Sequence, residues 1–182
     1  MNNWSANSFK KGLPLAILTS VMGCATFFTN ENPIGKTARG KSIAFHENKT
    51  YQTECASCHL GFLPGFLPIR SWAKLMGDLD NHFGENASLD DGPRNEILTF
   101  LKKNAADASG STPRSHKIAT LIKSTDTPVR ITESSFWTRK HSSIKASVWK
   151  RPKIGTKSKC DACHHDASKG LFDEHDVHIP KN

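Results

Sequence analysis

Two copies of one short pattern, C-x-x-C-H, constrain this chain more than any other feature. They stand at residues 55–59 and 160–164. Two cysteines three residues apart can each form a thioether bond to one vinyl group of a haem, and the histidine that follows can bind the iron. The spacing therefore predicts two covalently attached haem c groups. The predicted attachment and proximal ligand residues are Cys55, Cys58 and His59, and Cys160, Cys163 and His164.

Two other kinds of C-x-x-C site fit the pattern less well. A zinc site built from both cysteine pairs generally places the second pair about 15–20 residues after the first, whereas here a large part of the chain separates them. A thioredoxin-like pair is expected within a βαβ pattern, which this sequence lacks. Neither alternative explains why a histidine follows each pair, so haem attachment is the favoured interpretation.

The composition is consistent with a chain that needs a bound group to complete its core. Only 36% of the residues are hydrophobic, and the mean hydropathy is −0.50. Small domains with little apolar surface usually depend on a metal, a disulfide or a cofactor. The net charge of +8 is spread along the chain rather than gathered in one basic stripe, which disfavours nucleic acid as a partner.

Residues 1–23 predict an export signal. Two lysines supply a positive region, and the apolar stretch at residues 13–23 is too short to span a bilayer as a helix. The stretch runs into Val-Met-Gly-Cys, which resembles the lipobox of bacterial lipoproteins, so Cys24 is the candidate lipidated residue. Signal peptidase cleavage after Ala25 is the alternative. Both interpretations predict a periplasmic protein, either soluble or anchored to the membrane by lipid.

The second axial ligand decides what each iron can do. An open position binds small molecules, whereas two strong ligands favour electron transfer. Methionine is a poor candidate, because Met76 is the only methionine after the signal and belongs to an apolar helical pattern typical of core packing. Histidine is abundant, which predicts bis-histidine ligation at both irons. The histidines beyond the two motifs are His46, His82, His116, His141, His165, His175 and His178.

Residues 36–108 are predicted to form one helical unit. A helix over residues 37–51 leads into the first motif, and an amphipathic helix covers residues 69–80. A third helix opens at residues 91–93, Asp-Gly-Pro, where proline suits the first turn. This order resembles that of a small class I cytochrome c, in which the loop before the last helix supplies the distal ligand. His82 lies in that loop and is the predicted distal ligand of haem 1.

The remaining sequence predicts a linker and a second, irregular unit. Residues 109–130 are rich in Ser, Thr and Lys, as in a linker, with a short helix near residues 118–122. Residues 131–182 contain the second motif together with several prolines and glycines. Their few apolar side chains cannot pack much of a core unaided, so a haem is expected to form it.

The distal ligand of haem 2 is not fixed by the pattern alone. His165 follows the proximal His164 directly and cannot easily reach the opposite face of the same haem. Three other histidines of the second unit remain, and chain reach slightly favours the one that lies upstream of the motif. The candidates are His141, with His175 and His178 as alternatives.

Several runs of sequence resemble the dihaem cytochrome c family, often abbreviated DHC. They are ECASCH at residues 54–59, RSW at 70–72, HFGENA at 82–87, NAAD at 104–107, RIT at 130–132 and WTRKH at 137–141. The closing CDACH and GLFDE runs resemble it as well, so the similarity covers about residues 40–180. The resemblance implies a mainly α fold, with an N-terminal cytochrome c-like (class I) haem domain and a small irregular C-terminal haem domain.

The resemblance also implies a function. Family members are bis-histidine, low-potential electron carriers of the bacterial periplasm, which makes His82 and His141 the distal ligands here. Some are paired with an oxygen-binding monohaem cytochrome c or a membrane cytochrome b, so these are the partners expected for this chain. Tyr51 lies where the family tends to have a tyrosine and is a candidate residue between the two haems. The alternative for Tyr51 is a core position with a hydrogen-bonded hydroxyl.

The leading hypothesis is therefore electron transfer between redox partner proteins, without enzymatic activity. A small haem enzyme of the peroxidase or nitrogen-oxide reductase type is the alternative. Such an enzyme needs an open or labile axial position with acid–base groups beside it. The short chain and its surplus of histidines favour closed sites, and hence the carrier.

Overall fold

The computed structural model describes residues 42–181, and these residues are helical with no β-strand among them. The predicted mainly α fold is therefore confirmed. All of the described residues belong to one compact unit. No helix in this range is long and apolar enough to cross a membrane. The division into two haem domains around residues 109–130 stays a prediction.

Short helices and tighter 3₁₀ turns alternate along this part of the chain. The longest helix has 13 residues. The α-helices are α1 (Lys49–Cys55), α2 (Ile69–Met76), α3 (Asp91–Lys103), α4 (Pro113–Thr120), α5 (Ser135–Lys140) and α6 (Ala146–Trp149). The 3₁₀ turns are Pro64–Phe66, Leu79–Asn81, Ile131–Glu133, Cys160–Ala162, Ala167–Lys169 and Glu174–Asp176.

Helix α1 begins later than the pattern over residues 37–51 predicts. Asn48 has an extended backbone, with φ of −147°, and its side chain accepts a hydrogen bond of 2.6 Å from the backbone N–H of Tyr51. An asparagine in this geometry is a helix N-cap, because its side chain satisfies an N–H group that the first turn leaves unpaired. The predicted start is therefore wrong for residues 42–48, which are not helical, and residues 37–41 lie outside the described residues.

Helices α2 and α3 form the centre of the N-terminal core. The helix predicted over residues 69–80 ends at Met76, and Gly77 is its C-cap. Helix α3 opens at Asp91 as predicted, with Pro93 in its first turn. It packs against both α2 and α1. Met76 is only 3% exposed in this core, which agrees with its assignment to packing rather than to iron.

Helix α4 lies inside the segment predicted as a linker. The Thr112 hydroxyl caps its first turn by accepting a hydrogen bond of 3.1 Å from the N–H of Ser115. The helix packs on the 3₁₀ turn Pro64–Phe66, and Ile118 on it is fully buried. The segment therefore contributes to the core. It contains a helix that begins at Pro113, earlier than the residues 118–122 expected from the sequence.

The C-terminal segment packs against the start of the described chain. The N–H of Ile43 donates a hydrogen bond of 3.0 Å to the carbonyl of Gly170. Nearby, the rings of Phe66 and Phe172 meet edge to face, with 5.1 Å between their centres. Gly170 has a positive φ of 80°, and a β-carbon there would overlap the carbonyl oxygen of Ile43. Only glycine therefore fits where these two segments cross.

We expect Gly170→Ala to destabilise the holoprotein by at least about 2 kcal/mol, because alanine adds both a strained φ and a backbone overlap. Thermal unfolding of the haem-loaded protein measures the change. Gly92→Ala is the matched control, since no atom lies within 4 Å of a β-carbon there and alanine in α3 is neutral or slightly stabilising. Equal melting temperatures for the two variants would contradict the close approach at Gly170.

Candidate functional site

The four motif cysteines are all free of disulfide bonds in the described part of the chain. Burial, followed by the charge of Glu54, raises the pKa of Cys55 to about 11. Burial also raises the pKa of Cys160 to about 11, with smaller contributions from Asp161 and Cys163. A redox-active cysteine needs the opposite shift, because the thiolate is its reactive form.

The zinc alternative also lacks a suitable cluster. Among residues 42–181, no group of three or more His, Cys, Asp or Glu side chains is arranged to hold a metal ion. The two C-x-x-C pairs are therefore not brought together into one tetrahedral site. Each motif instead stands beside its own histidine pair.

The first pair consists of His59, from the first motif, and His82. Their ring centres are 6.3 Å apart and the ring planes differ by 17°. Two imidazoles that bind one metal through nitrogens at about 2.0 Å, with ring centres about 1.1 Å behind those nitrogens, are separated by about 6.2–6.4 Å. The observed spacing thus fits a metal between the rings.

Hydrogen bonding and burial prepare this pair for ligation. The Nδ1 atom of His59 lies 2.8 Å from the carbonyl oxygen of Leu60. Donation from Nδ1–H to that carbonyl leaves Nε2 as the ring's ligand atom. Burial, followed by the charges of His59 and Arg130, lowers the pKa of His82. A lowered pKa keeps the imidazole neutral, which is the form that binds metals.

A short bridge and an arginine hold the loop that carries His82. The N–H of His82 donates to the carbonyl of Glu85 at 2.8 Å, and the N–H of Glu85 donates back at 3.2 Å. Between them, Phe83 has a positive φ of 59°. The guanidinium of Arg130 lies 3.8 Å from the centre of the Phe83 ring. This cation–π contact ties the loop to the start of the C-terminal segment.

The second pair consists of His141 and His164, from the second motif. Their ring centres are also 6.3 Å apart, but the ring planes differ by 79°. His141 immediately follows α5, and its Nδ1 atom lies 2.9 Å from the carbonyl oxygen of Trp137. As at His59, donation from Nδ1–H to the carbonyl leaves Nε2 as the ring's ligand atom. Both histidine pairs therefore have the ring spacing expected for two ligands of one metal ion. They differ in the angle between the two ring planes.

Aromatic rings surround the second pair. The indole of Trp137 stacks on His141, with 4.2 Å between ring centres and 16° between planes. Trp149 contacts both of these rings. On the opposite side, Phe172 lies 5.2 Å from His164. These ring contacts restrict the orientation of the two half-buried imidazoles.

Charge and burial act on both rings of this pair. Burial lowers the pKa of His141, although its hydrogen bond to Trp137 acts in the opposite direction. Burial, followed by the charges of His141 and Arg114, lowers the pKa of His164. A cavity of about 370 Å³ opens beside His164 and is also lined by His165 and Leu171. The lowered pKa values favour neutral imidazoles, and His164 borders free space.

The structure separates the three histidines that the sequence leaves open for haem 2. His141 faces His164 at a metal-sharing distance. The ring of His178 instead lies 5.8 Å from that of His165, and its backbone N–H donates to the carbonyl of Cys163. His175 lines a smaller cavity of about 120 Å³.

Tyr51 and Cys24 are the two other residues to which the sequence assigned a functional role. Tyr51 is 5% exposed, its ring lies 5.4 Å from that of Phe100, and its hydroxyl donates to the carbonyl of Phe62 at 2.7 Å. These contacts are those of a core tyrosine, and a role between the haems stays a prediction. Cys24 lies outside the described residues.

Sequence reasoning did not identify the side chains that support the ligands. Trp137 is four residues before His141, a spacing that places both on one helical face and could have indicated their contact. Arg114 and Arg130 have no comparable helical spacing from the histidines that they affect. Their charges act on His164 and His82 from the predicted linker and its last residue, and no local sequence pattern predicts this effect.

Comparisons with known proteins agree on one family. A sequence model described as dihaem cytochrome c matches residues 51–172. The chain is 40% identical to a solved diheme cytochrome c from Rhodobacter sphaeroides, with a TM-score of 0.63 over 72% of this chain and 100% of that one. It is 36% identical to a diheme cytochrome c from Shewanella baltica OS155, with a TM-score of 0.61 over 75% and 95%. A search of the curated proteins finds no match.

The different ring rotations predict two distinct electron paramagnetic resonance signals from the oxidised protein. Nearly parallel imidazoles split the iron d orbitals unequally and give a rhombic low-spin spectrum, which we expect from the pair at 17°. Nearly perpendicular imidazoles leave two of these orbitals almost degenerate and give one dominant signal at large g, which we expect from the pair at 79°. Two identical rhombic signals of equal intensity would contradict the geometry of the second pair.

Proposed function

Because this chain belongs to the dihaem cytochrome c family, we propose that it carries electrons between redox partner proteins. Its cofactors are two haem c groups. The observation that carries the proposal is the repeated 6.3 Å spacing of facing imidazoles, one pair at each motif. Two strong nitrogen ligands on each iron favour electron transfer over the binding of small molecules.

Each haem draws its attachments and ligands from one set of residues. Haem 1 is attached by Cys55 and Cys58, with His59 and His82 as its axial ligands. Haem 2 uses Cys160 and Cys163, with His164 and His141. When bound, each haem supplies a one-electron couple. The protein side chains hold the iron from both faces, and aromatic rings surround haem 2. Burial lowers the pKa of His82, His141 and His164, which favours the neutral imidazole that binds iron.

Closed axial positions distinguish a carrier from an enzyme. A peroxidase or nitrogen-oxide reductase needs an iron position that a substrate can occupy. His82 is held by its bridge to Glu85, and His141 by its hydrogen bond to and stacking on Trp137. Turning the His141 ring away from the iron would break its contacts with Trp137, whereas the bridge to Glu85 fixes the backbone that carries His82. This restraint at both sites supports a role without enzymatic activity.

Packing between the two sites supports their operation as one unit. Phe172 contacts the His164 ring on one side and the Phe66 ring on the other. Phe66 belongs to the turn that follows the first motif and is 8% exposed. A well-packed core holds both sites in a constant mutual position, which suits repeated electron exchange without conformational change.

The cell compartment and the partners belong to the same proposal. The signal pattern of residues 1–23 supports export to the periplasm, with lipid on Cys24 as a membrane anchor. An anchored carrier would exchange electrons with proteins at or near the membrane. Its resemblance to the family suggests a membrane cytochrome b or an oxygen-binding monohaem cytochrome c as partner.

We expect carbon monoxide to leave the spectrum of the reduced wild-type protein unchanged, because both irons are closed. His82→Ala or His141→Ala should each open one haem, producing a high-spin signal and carbon monoxide binding equivalent to about half of the total haem. Absorption spectra with and without carbon monoxide measure both effects.

The matched controls are the histidines that do not face a motif histidine. His175→Ala and His178→Ala should keep the wild-type spectrum and remain insensitive to carbon monoxide. Binding of carbon monoxide to a large fraction of wild-type haem would instead favour the enzyme alternative. A spectrum changed by His178→Ala but not by His141→Ala would reassign the distal ligand of haem 2.

Fractionation of cells tests the proposed anchor. We expect the wild-type protein in the membrane fraction and Cys24→Ser in the soluble periplasmic fraction, because only the cysteine can receive lipid. Mass spectrometry of the mature wild-type protein should show a lipidated N-terminal cysteine. A soluble wild-type protein that begins after Ala25 would contradict the anchor and leave export to the periplasm intact.

A further inference from the structure

The segment that carries the distal ligand of haem 2 is strongly basic. Residues 134–160, called here the basic segment, contain eight lysine and arginine residues and no aspartate or glutamate. The other described residues carry 16 acidic and 12 basic side chains. Positive charge is therefore concentrated in one part of the chain. The basic residues of the segment are Arg139, Lys140, Lys145, Lys150, Arg151, Lys153, Lys157 and Lys159.

Most of these basic side chains are exposed and uncompensated. All of these residues except Arg151 are exposed. Within residues 42–181, only Lys140 among them forms an ion pair, with Glu174. Arg151 donates instead to the carbonyl oxygen of Pro180, at 2.8 Å. Positive charge that is neither buried nor paired remains available to an approaching partner.

The fold gathers this charge around the distal ligand of haem 2. Trp137 stacks on His141, and the Nζ atom of Lys157 lies 5.8 Å from the centre of the Trp137 ring. Trp149, which precedes Lys150 in the chain, contacts both Trp137 and His141. Residues from both ends of the basic segment therefore meet at one iron ligand.

The surroundings of the other iron ligands have the opposite charge. The cavity beside His164 is lined by three aspartates. At haem 1, residues 78–91, which include His82, contain five acidic residues and no lysine or arginine. Arg130, which lies against this loop, is 3.5 Å from the carboxylate of Glu133. An anionic partner is therefore attracted most strongly to the His141 side of haem 2.

We propose that the basic segment is the docking surface for an acidic redox partner protein, and that this partner exchanges electrons with haem 2. The inference rests on the carrier function proposed above and adds the class of partner and the haem that it meets. One electron passes between the haem 2 iron and the redox centre of the partner, so that one is reduced as the other is oxidised. Opposite surface charges increase the rate of encounter, and salt weakens this effect.

An anionic membrane suits this surface less well than an acidic protein does. Segments that bind at a membrane surface combine basic residues with apolar side chains that insert among the lipids. The basic segment exposes no large apolar side chain. Such side chains are exposed elsewhere in the described part of the chain, at Phe45, Phe83, Val177 and Ile179. Carboxylates on a protein surface can pair with exposed lysines without any such insertion.

Oxidation of the reduced holoprotein by two small ions of opposite charge tests the docking surface. The ions are hexacyanoferrate(III), a trianion, and tris(phenanthroline)cobalt(III), a trication, and each takes one electron from a ferrous haem. At an ionic strength of about 0.01 M, we expect the triple variant Lys145→Gln, Lys150→Gln, Lys157→Gln to lower the rate constant for hexacyanoferrate about tenfold. The rate constant for the cobalt complex should not fall. At about 1 M salt, variant and wild type should react with hexacyanoferrate at similar rates.

The matched control removes three exposed lysines from helices α2 and α3, with the changes Lys74→Gln, Lys102→Gln and Lys103→Gln. It has the same net charge as the first variant but should slow hexacyanoferrate by less than about threefold, because the charges lie outside the basic segment. Arginine at the same three positions of the basic segment keeps the charge and should preserve the wild-type rate. The proposal is overturned if the control slows hexacyanoferrate as much as the first variant does, or if the arginine variant is as slow as the glutamine variant.

Binding measurements on Cys24→Ser holoprotein, which cannot receive lipid, distinguish a protein partner from a membrane. Polyglutamate represents an acidic protein surface, and vesicles of phosphatidylglycerol and phosphatidylcholine represent the membrane, at equal concentrations of anionic groups. We expect polyglutamate to bind and to slow the hexacyanoferrate reaction, and the glutamine variant of the basic segment to bind it at least about fivefold more weakly. Vesicles that bind through the same lysines more tightly than polyglutamate would refute a protein partner.

The spin state of the haems separates this inference from the proposed function. Suppose that the wild type and the glutamine variant both keep two low-spin haems closed to carbon monoxide, and that both react equally fast with hexacyanoferrate at low salt. The docking surface is then refuted and the carrier function is retained. Carbon monoxide binding to haem 2 of the wild type would refute the carrier function and, with it, the inference that depends on it.

Discussion

Two imidazole rings that face each other at 6.3 Å, once at each motif, are the constraint on which the other features of the site depend. A metal-binding imidazole is usually oriented by a hydrogen bond from its other ring nitrogen. Backbone carbonyls do this for one ring of each pair, at Leu60 for His59 and at Trp137 for His141. Local backbone structure therefore helps to orient the rings of His59 and His141.

The two pairs achieve the same spacing by different means. His82 depends on a two-residue bridge, a positive φ and the Arg130 cation–π contact. His141 depends on a helix end and on stacking against Trp137. The first site is built on a helical core, whereas the second is surrounded by 3₁₀ turns and by aromatic rings. We therefore expect the bound haem to supply a larger share of the core at the second site than at the first.

Helix α4 packs within the one compact unit to which the described residues belong. Its Ile118 is buried, its N-terminal turn packs near Pro64–Phe66, and its Arg114 approaches the second histidine pair. The crossing of Ile43 and Gly170 joins the two ends of the described chain in the same region.

The sequence by itself determined the two attachment motifs, because thioether formation requires a local spacing that folding does not alter. It also indicated α2 and α3 through their apolar periodicity and placed His82 in the loop between them. Tertiary structure alone decided which histidine faces His164, because His141, His175 and His178 differ in packing rather than in local pattern. It alone also brought Arg114 and Arg130 to the two sites, since contacts between distant segments leave no periodic signal in the sequence.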